Sequence, residues 1–205
     1  MAISGSFLIL FLTQHLCINL TSLIPDNGET FNQISHFMGH NPVVQFMLQP
    51  ILISGVIFHF IMGFWLEIEN RQSRLQKYSQ VNTNTSWASK NMILSGLVIL
   101  AFLILHFYDF WVPEIKEKYF IQSIPDPDKY FLELKHKFEN NSTRTFIYCF
   151  SFILLGLHLD HGFSSAFSSM GIGLKQKKTI KRIARGFSIS ITVGFSFIAL
   201  YHYLI

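Results

Sequence analysis

Charged residues are scarce in this sequence: they make up 14% of the 205 residues, against roughly 25% in an average soluble domain. Five long stretches carry at most one of them, and 50% of all residues are hydrophobic. An apolar run of about 18 residues is long enough to cross a membrane as a helix. This distribution excludes a soluble globular protein, a disordered chain and a nucleic-acid binder. The stretches are 1–25, 30–66, 91–108, 145–174 (which contains only Asp160) and 186–205.

Cysteine is also scarce, since Cys17 and Cys149 are the only two and both lie in apolar runs. Neither has a second ligand at zinc-binding spacing, and a disulfide framework needs more cysteines. We expect both to be small buried hydrophobic residues. The first apolar run lacks a basic segment after Met1, which favours a true first span over a cleaved signal peptide.

The apolar runs predict an all-α membrane protein, a bundle of five transmembrane helices that forms a single domain over 1–205. The runs are too long for barrel strands, and a helix satisfies its own backbone hydrogen bonds in lipid. Residues 25–44 are polar enough to lie outside the membrane, with a short interfacial helix. We expect the transmembrane helices near 2–23, 45–67, 91–111, 145–172 and 186–204.

Lysine and arginine are concentrated in two of the four predicted loops, which indicates the orientation of the chain. These two loops lie on the same side of the membrane and contain ten basic residues, whereas the loop 109–144 has six basic and seven acidic residues. We therefore expect the N-terminus and the two basic loops to be cytoplasmic and the C-terminus to lie outside. The ten residues are Arg71, Arg74, Lys77, Lys90, Lys175, Lys177, Lys178, Lys181, Arg182 and Arg185.

Four histidines lie deep in four different predicted spans, where ionisable residues are costly and tend to be functional. They are His15, His59, His106 and His158, and the sequences around them form two matched pairs. The first and third spans read SGSFLILFLTQH and SGLVILAFLILH, and each string ends at its histidine. The second and fourth spans read HFIMGF and HLDHGF, and each string begins with its histidine.

The matched histidines are predicted to lie at matching depths. His15 and His106 lie roughly 21–24 Å from the cytoplasmic ends of their spans, in the outer half of a hydrocarbon core about 30 Å thick. His59 and His158 lie roughly 21 Å from the outer ends of theirs, in the inner half. Two facing imidazoles at one depth are the ligands that a bis-histidine haem iron requires.

Small and polar residues near these histidines are candidate haem contacts. Gly63 and Gly162 lie four residues after His59 and His158, although close helix packing explains these glycines equally well. His161 competes with His158 as a ligand, and we favour His158 because it fits the repeat with the second span. The candidate contacts are Ser4, Gly63, Ser95, Gly162 and His161.

The other histidines are weaker candidates. His36, His40 and His136 lie in predicted outer loops, where we expect them to be solvated. His202 lies near the end of the fifth span without an evident partner, and we expect it at the membrane interface. Asp160 either orients a neighbouring group or marks the point where the fourth span meets water.

At these residues the whole chain resembles the five-helix, di-haem cytochrome b anchor of succinate:quinone oxidoreductases and the related fumarate reductases. The resemblance lies in TQHLCINL around His15, SHFM at 35–38, FHFIMGFW around His59, ILHFYDFW around His106 and HLDHGFSSAFSSMG at 158–171. The resemblance implies two haem b groups. His15 and His106 would be the axial ligands of an outer haem, and His59 and His158 those of an inner haem.

The resemblance also implies partners for the chain. A flavoprotein that oxidises succinate and an iron–sulfur subunit would dock on the cytoplasmic side of a bacterial inner membrane. The chain itself would be an electron-transfer subunit that passes electrons to a quinone, menaquinone rather than ubiquinone. We expect the quinone near the outer haem, where the candidate contacts are His36, His40 and Gln45.

Two other functions remain open. The chain could be the cytochrome b subunit of another quinone-linked enzyme, such as a hydrogenase or a formate dehydrogenase. It could instead be a transporter whose buried histidines relay protons or bind a metal. Transporters tend to have broken helices and inverted repeats, whereas the matched segments here run in the same membrane direction and we expect no proline to interrupt the helices.

Overall fold

The structure is a computed structural model that describes residues 1–74, 91–121, 126–172 and 174–205, without the side chains of 73, 74 and 174. Within these ranges the chain is helical and has no strand. Two of the basic loop residues, Lys77 and Lys90, lie outside the described residues. The α-helices of ten or more residues are α1 (Ala2–Leu20), α2 (Glu29–His40), α3 (Gln49–Arg74), α4 (Met92–His106), α5 (Lys129–Phe138), α6 (Ser142–Ser169) and α7 (Lys177–Leu204). A short α-helical turn, Val112–Ile115, lies between two π-helical segments that continue α4.

Five helical stretches are long and apolar enough to cross a membrane, as the sequence predicts. Three of them are longer than expected, because the second continues to Gln72, the third continues to Ile121 and the fifth already begins at Lys177. Lysine, arginine and glutamate are good helix formers, so the change in hydropathy marks the end of the apolar segment and not the end of the helix. The stretches are Ala2–Leu23, Val44–Gln72, Met92–Ile121, Ser142–Ser169 and Lys177–Leu204.

Proline does not interrupt the second stretch: Pro50 lies inside it, in the first turn of α3, and the stretch runs on to Gln72. The π-helical turn Val44–Leu48 precedes α3 directly. A proline lacks the N–H that would continue the hydrogen-bond ladder, and a wider π-helical turn lets the helix run on past it.

Four of the long helices form a ring. Helix α1 packs against α3 and α6, and α4 packs against the same two helices. Consequently α1 faces α4 across one diagonal of the ring, and α3 faces α6 across the other. This is the result of consecutive antiparallel helices packing side by side, as in an up-down bundle. Helix α7 lies outside the ring along α6 and α1.

Many large apolar side chains point away from the protein, as is expected of helices with lipid as their solvent. Ile3 is 81% exposed, Leu10 70% and Phe146 70%. The expected burial of both cysteines does not hold, since Cys17 is exposed and Cys149 only half-buried. The interior is a narrow core between α1, α6 and α7 that includes Leu16, Tyr148, Phe152, Ile191 and Phe195.

Two short helices cover one end of the bundle, and we call α2 and α5 the cap. The Oδ1 of Asn32 on α2 accepts a hydrogen bond from the backbone N–H of Phe131 on α5 at 2.9 Å. Helix α2 is the short helix predicted within 25–44. The expectation for His202 is wrong: it is 2% exposed, and its Nε2 lies 3.0 Å from the Oγ of Ser22.

Candidate functional site

The four histidines of the spans are half-buried and form two facing pairs, one on each diagonal of the ring. The rings of His15 and His106 have centroids 5.8 Å apart and planes at 85°. Those of His59 and His158 have centroids 6.4 Å apart and planes at 69°. An imidazole nitrogen lies about 2 Å from its metal, so two imidazoles on opposite sides of one metal have centroids about 6 Å apart. Each pair therefore has the separation of two axial ligands of a single iron.

The His59 ring has a hydrogen-bond partner on the neighbouring helix. The Oγ of Ser4 lies 3.2 Å from the Nδ1 of His59, and it donates to the backbone carbonyl of Met1 at 3.0 Å. With the Ser4 proton donated to the Met1 carbonyl, the Nδ1–H tautomer of His59 is the one that can donate to the Ser4 oxygen. The Nε2 of His59 then keeps a free lone pair, which is the state in which it ligates a metal.

The same arrangement recurs at His158. The Oγ of Ser95 lies 3.2 Å from the Nδ1 of His158 and donates to the carbonyl of Met92 at 2.9 Å. Both histidines of the inner pair thus contact a serine through Nδ1, which leaves Nε2 as the nitrogen available to a metal. The sequence singles out the two serines but assigns them to neither histidine pair, because nothing in the local pattern shows which neighbouring helix a side chain faces.

Two of the four glycines near the inner pair have open space beside them. A Cβ added at Gly96 or Gly162 would have no described atom within 4 Å, and one added at Gly5 or Gly63 would have its nearest neighbour at 3.7 Å. By contrast, a Cβ at Gly156 would collide with the Thr192 side chain. Close helix packing therefore explains Gly156 but does not explain the glycines near the inner pair. Gly5 and Gly96 directly follow the two serines and are further candidate haem contacts, which the sequence analysis does not include.

A cleft of about 720 Å³ lies beside the inner pair, between the start of α1 and the middle of α3. Pockets for ligands and cofactors have volumes of about 300–1,000 Å³, so the cleft has the size of a cofactor pocket. Its lining is mostly apolar and includes Phe7, Gly55, Phe58 and the hydroxyl-bearing Ser4. Neither His59 nor His158 lines the cleft, which adjoins the inner pair through Ser4.

The outer pair is packed by aromatic rings. Phe11 stacks on His15 with centroids 5.5 Å apart, and Phe102 stacks on His106 at 5.7 Å. The Nδ1 of His106 is buried and has no hydrogen-bond partner among the described residues. A buried polar atom left without a partner costs about 1–3 kcal/mol. The pair fits a ligand-bearing site better than it fits a packed core.

A buried ion pair lies directly beyond the outer pair. Asp109 is 1% exposed, its Oδ2 accepts the Tyr148 hydroxyl at 2.7 Å, and its Oδ1 lies 3.2 Å from an Arg144 guanidinium nitrogen. The Tyr148 ring in turn contacts the His106 ring at 6.3 Å. The sequence predicts Asp109 at the start of a loop. Only the position of Asp109 three residues after His106 hints that it lies near the outer pair.

Of the two histidines on α6, His158 supplies the ring that lies opposite His59. His161 lies one turn further along α6 and is half-buried. The Oδ2 of Asp160 lies 3.7 Å from a guanidinium nitrogen of Arg185, which is at the basic end of α7. This long contact is typical of a carboxylate at the point where the helix reaches water.

The residues expected at a quinone site lie in or next to the cap. His36 and His40 line a cavity of about 30 Å³, which has room for one or two water molecules. The Nε2 of His36 lies 3.1 Å from the carbonyl oxygen of Asp126, and the Gln45 side chain donates to the carbonyl of Gly39. The cavity in this structure is too small for a quinone ring, and the assignment of these three residues stays a prediction.

An ionic network closes the wall of this cavity. Glu114 accepts from Lys129 at 2.7 Å and from the Tyr130 hydroxyl at 2.8 Å. Burial and this hydrogen bond raise the pKa of Tyr130 above its ordinary value, so the hydroxyl stays protonated. Burial lowers the pKa of Lys129, but its hydrogen bonds to Glu114 and Glu117 outweigh burial and leave the pKa raised.

Each histidine pair offers two protein ligands. Among the described residues no group of three or more histidine, cysteine, aspartate or glutamate side chains could hold a metal ion. A bis-histidine haem takes only its two axial ligands from the protein, and the pairs match that number. In comparisons with known proteins, no family model, no characterised protein and no solved structure matches this chain.

Proposed function

We propose that the protein is the di-haem cytochrome b anchor of a succinate:quinone oxidoreductase, a single transmembrane domain that transfers electrons and does not itself oxidise succinate. The observation that carries the proposal is the pair of facing histidines on each diagonal of the helix ring. The resemblance of the sequence around these histidines to that family supports it.

The residues present fit two haem b groups. His59 and His158 would hold one haem iron and His15 and His106 the other, and iron held in this way supplies reversible one-electron transfer. The protein orients the ligands, through Ser4 and Ser95 at the inner pair and through stacked phenylalanines at the outer pair. The apolar helices exclude water from both pairs.

The proposed topology places the N-terminus in the bacterial cytoplasm and the C-terminus outside. The positive-inside rule supports it, because the basic segment Lys177–Arg185 begins α7 while the far end of α7 carries no lysine or arginine. The flavoprotein and the iron–sulfur subunit would then dock on the basic side. The inner pair would be nearer to them, and the cap would lie on the outer side. The substrate quinone, proposed as menaquinone, would react at the outer side.

The reduced-minus-oxidised optical spectrum of the purified membrane protein tests the proposal, together with a haem-to-protein ratio. We expect a b-type spectrum, two haems per chain, and co-purification of a flavoprotein and an iron–sulfur protein. If the chain contains haem but co-purifies with a hydrogenase or a formate dehydrogenase, succinate is not the electron source, and the haem assignment stands. A protein without haem would contradict the proposal and leave the transporter function.

A further inference from the structure

We infer that Ser4 and Ser95 are positioning residues of the inner histidine pair, which fix the orientation and the electron donation of His59 and His158 without touching a metal themselves. The inference rests on the proposed function, because it concerns ligands of a haem. It deepens that function by assigning a specific role to two hydroxyl groups.

The first argument is that the contact is made twice with the same geometry. Each serine hydroxyl lies 3.2 Å from the Nδ1 of a histidine on an adjacent helix of the ring. Each hydroxyl also donates its only proton to the carbonyl three residues before it. The serine-to-carbonyl bond is common in these helices and also occurs at Ser22 and Ser188; what distinguishes Ser4 and Ser95 is the contact of each with a histidine Nδ1 at 3.2 Å.

The second argument concerns the direction of the hydrogen bond. With the serine proton donated to the backbone carbonyl, a histidine in the Nδ1–H tautomer donates that proton to the serine oxygen. A ligating histidine that donates its other N–H in this way is fixed in one tautomer and one ring orientation, and it becomes a more basic ligand. A more basic ligand stabilises ferric iron relative to ferrous iron, so the serines lower the reduction potential of the inner haem.

The third argument is that the outer pair differs. The Nδ1 of His106 is buried without a hydrogen-bond partner among the described residues, and rings of phenylalanine stack on His15 and His106 instead. Ser4 and Ser95 each lie eleven residues before an outer histidine in sequence, or about 16 Å along the helix. The two serines lie on the same helices as the outer histidines, but their hydroxyls contact the inner histidines.

Redox titration of the two haems in the assembled complex tests the inference. The variants are Ser4→Ala, Ser95→Ala and the double variant, with Ser4→Thr to restore a hydroxyl. Ser6→Ala is the matched control, because the Ser6 hydroxyl on the same helix is buried and has no hydrogen-bond partner among the described residues.

We expect each alanine variant to retain two haems and to raise the midpoint potential of the haem bound by His59 and His158. The double variant should shift it further, Ser4→Thr should return it towards the wild-type value, and Ser6→Ala should leave both haems unshifted. Unchanged potentials in both alanine variants, an equal shift in Ser6→Ala, or a shift confined to the other haem would overturn the inference. Loss of the inner haem from both Ser4→Ala and Ser4→Thr would also overturn it, because a hydroxyl would not then be what the site needs.

These outcomes are distinct from failure of the proposed function. A wild-type preparation without haem overturns the proposed function and this inference together. A wild-type preparation with two haems whose potentials do not respond to Ser4→Ala or Ser95→Ala overturns the inference alone.

Discussion

His15 and His106 face each other across a diagonal of the helix ring, with their ring centroids 5.8 Å apart and their planes almost perpendicular. Neither helix can bring about this contact alone, because α1 and α4 are held at that distance by α3 and α6, which pack between them. The second diagonal repeats the arrangement with His59 and His158.

Single substitutions of the four histidines should remove haems in pairs. His15→Ala and His106→Ala should each abolish the same haem, and His59→Ala and His158→Ala the other, because each change leaves one imidazole without its partner. Haem content and redox difference spectra of the four variants measure this. His136→Ala, on the exposed surface of α5, is the control and should retain both haems. Two intact low-spin haems in all four variants would contradict the assignment.

The two histidines on α6 should behave differently. His158→Ala should lose a haem, since its ring is the one opposite His59. His161→Ala should retain both haems and at most shift a midpoint potential through its neighbours. The spectra of the two variants decide between them, and the opposite result would mean that α6 is rotated about its axis relative to this structure.

Removing the buried carboxylate should destabilise the protein. Asp109→Ala leaves the buried Tyr148 hydroxyl without its acceptor, and an unsatisfied buried polar group costs about 1–3 kcal/mol. Thermal unfolding in detergent measures the loss. Asp160→Ala is the matched control, because its partner Arg185 lies 3.7 Å away and is 73% exposed; such a pair contributes about 0–1 kcal/mol. Equal losses in both variants would show that Asp109 is not buried as described.

The cap should depend on a glycine at its start. Gly28 has a φ of 84°, and a Cβ there would collide with the Phe131 ring. Gly28→Ala should therefore destabilise the contact between α2 and α5 by more than the about 1–2 kcal/mol that a left-handed alanine costs by itself. Gly171→Ala is the control, because Gly171 has a φ of 74° but no described atom within 4 Å of an added Cβ. Hydrogen exchange of α2 and α5 measures the difference, and equal effects of the two substitutions would argue against the Phe131 contact.

Much of the fold is present in the sequence by itself. The five apolar runs predict the five long helices, because hydropathy over about 20 residues is a local property that needs no knowledge of the neighbours. The repeats around the four histidines predict two pairs at two depths, because the rise per residue of a helix converts sequence position into depth. The structure brings those same pairs together, while their role as haem ligands stays a prediction.

The contacts that surround the histidines were decided only by the tertiary structure. Ser4 faces His59, Asp109 is buried beneath Tyr148, and His202 lies against Ser22. In each case two side chains from different helices meet, and this depends on how far each helix is rotated about its axis and on which helices are neighbours. In lipid the apolar pattern fixes this rotation only weakly, because the solvent is as apolar as the core. The depth of each histidine pair is therefore determined by the sequence, and its hydrogen-bond partners by the packing of the bundle.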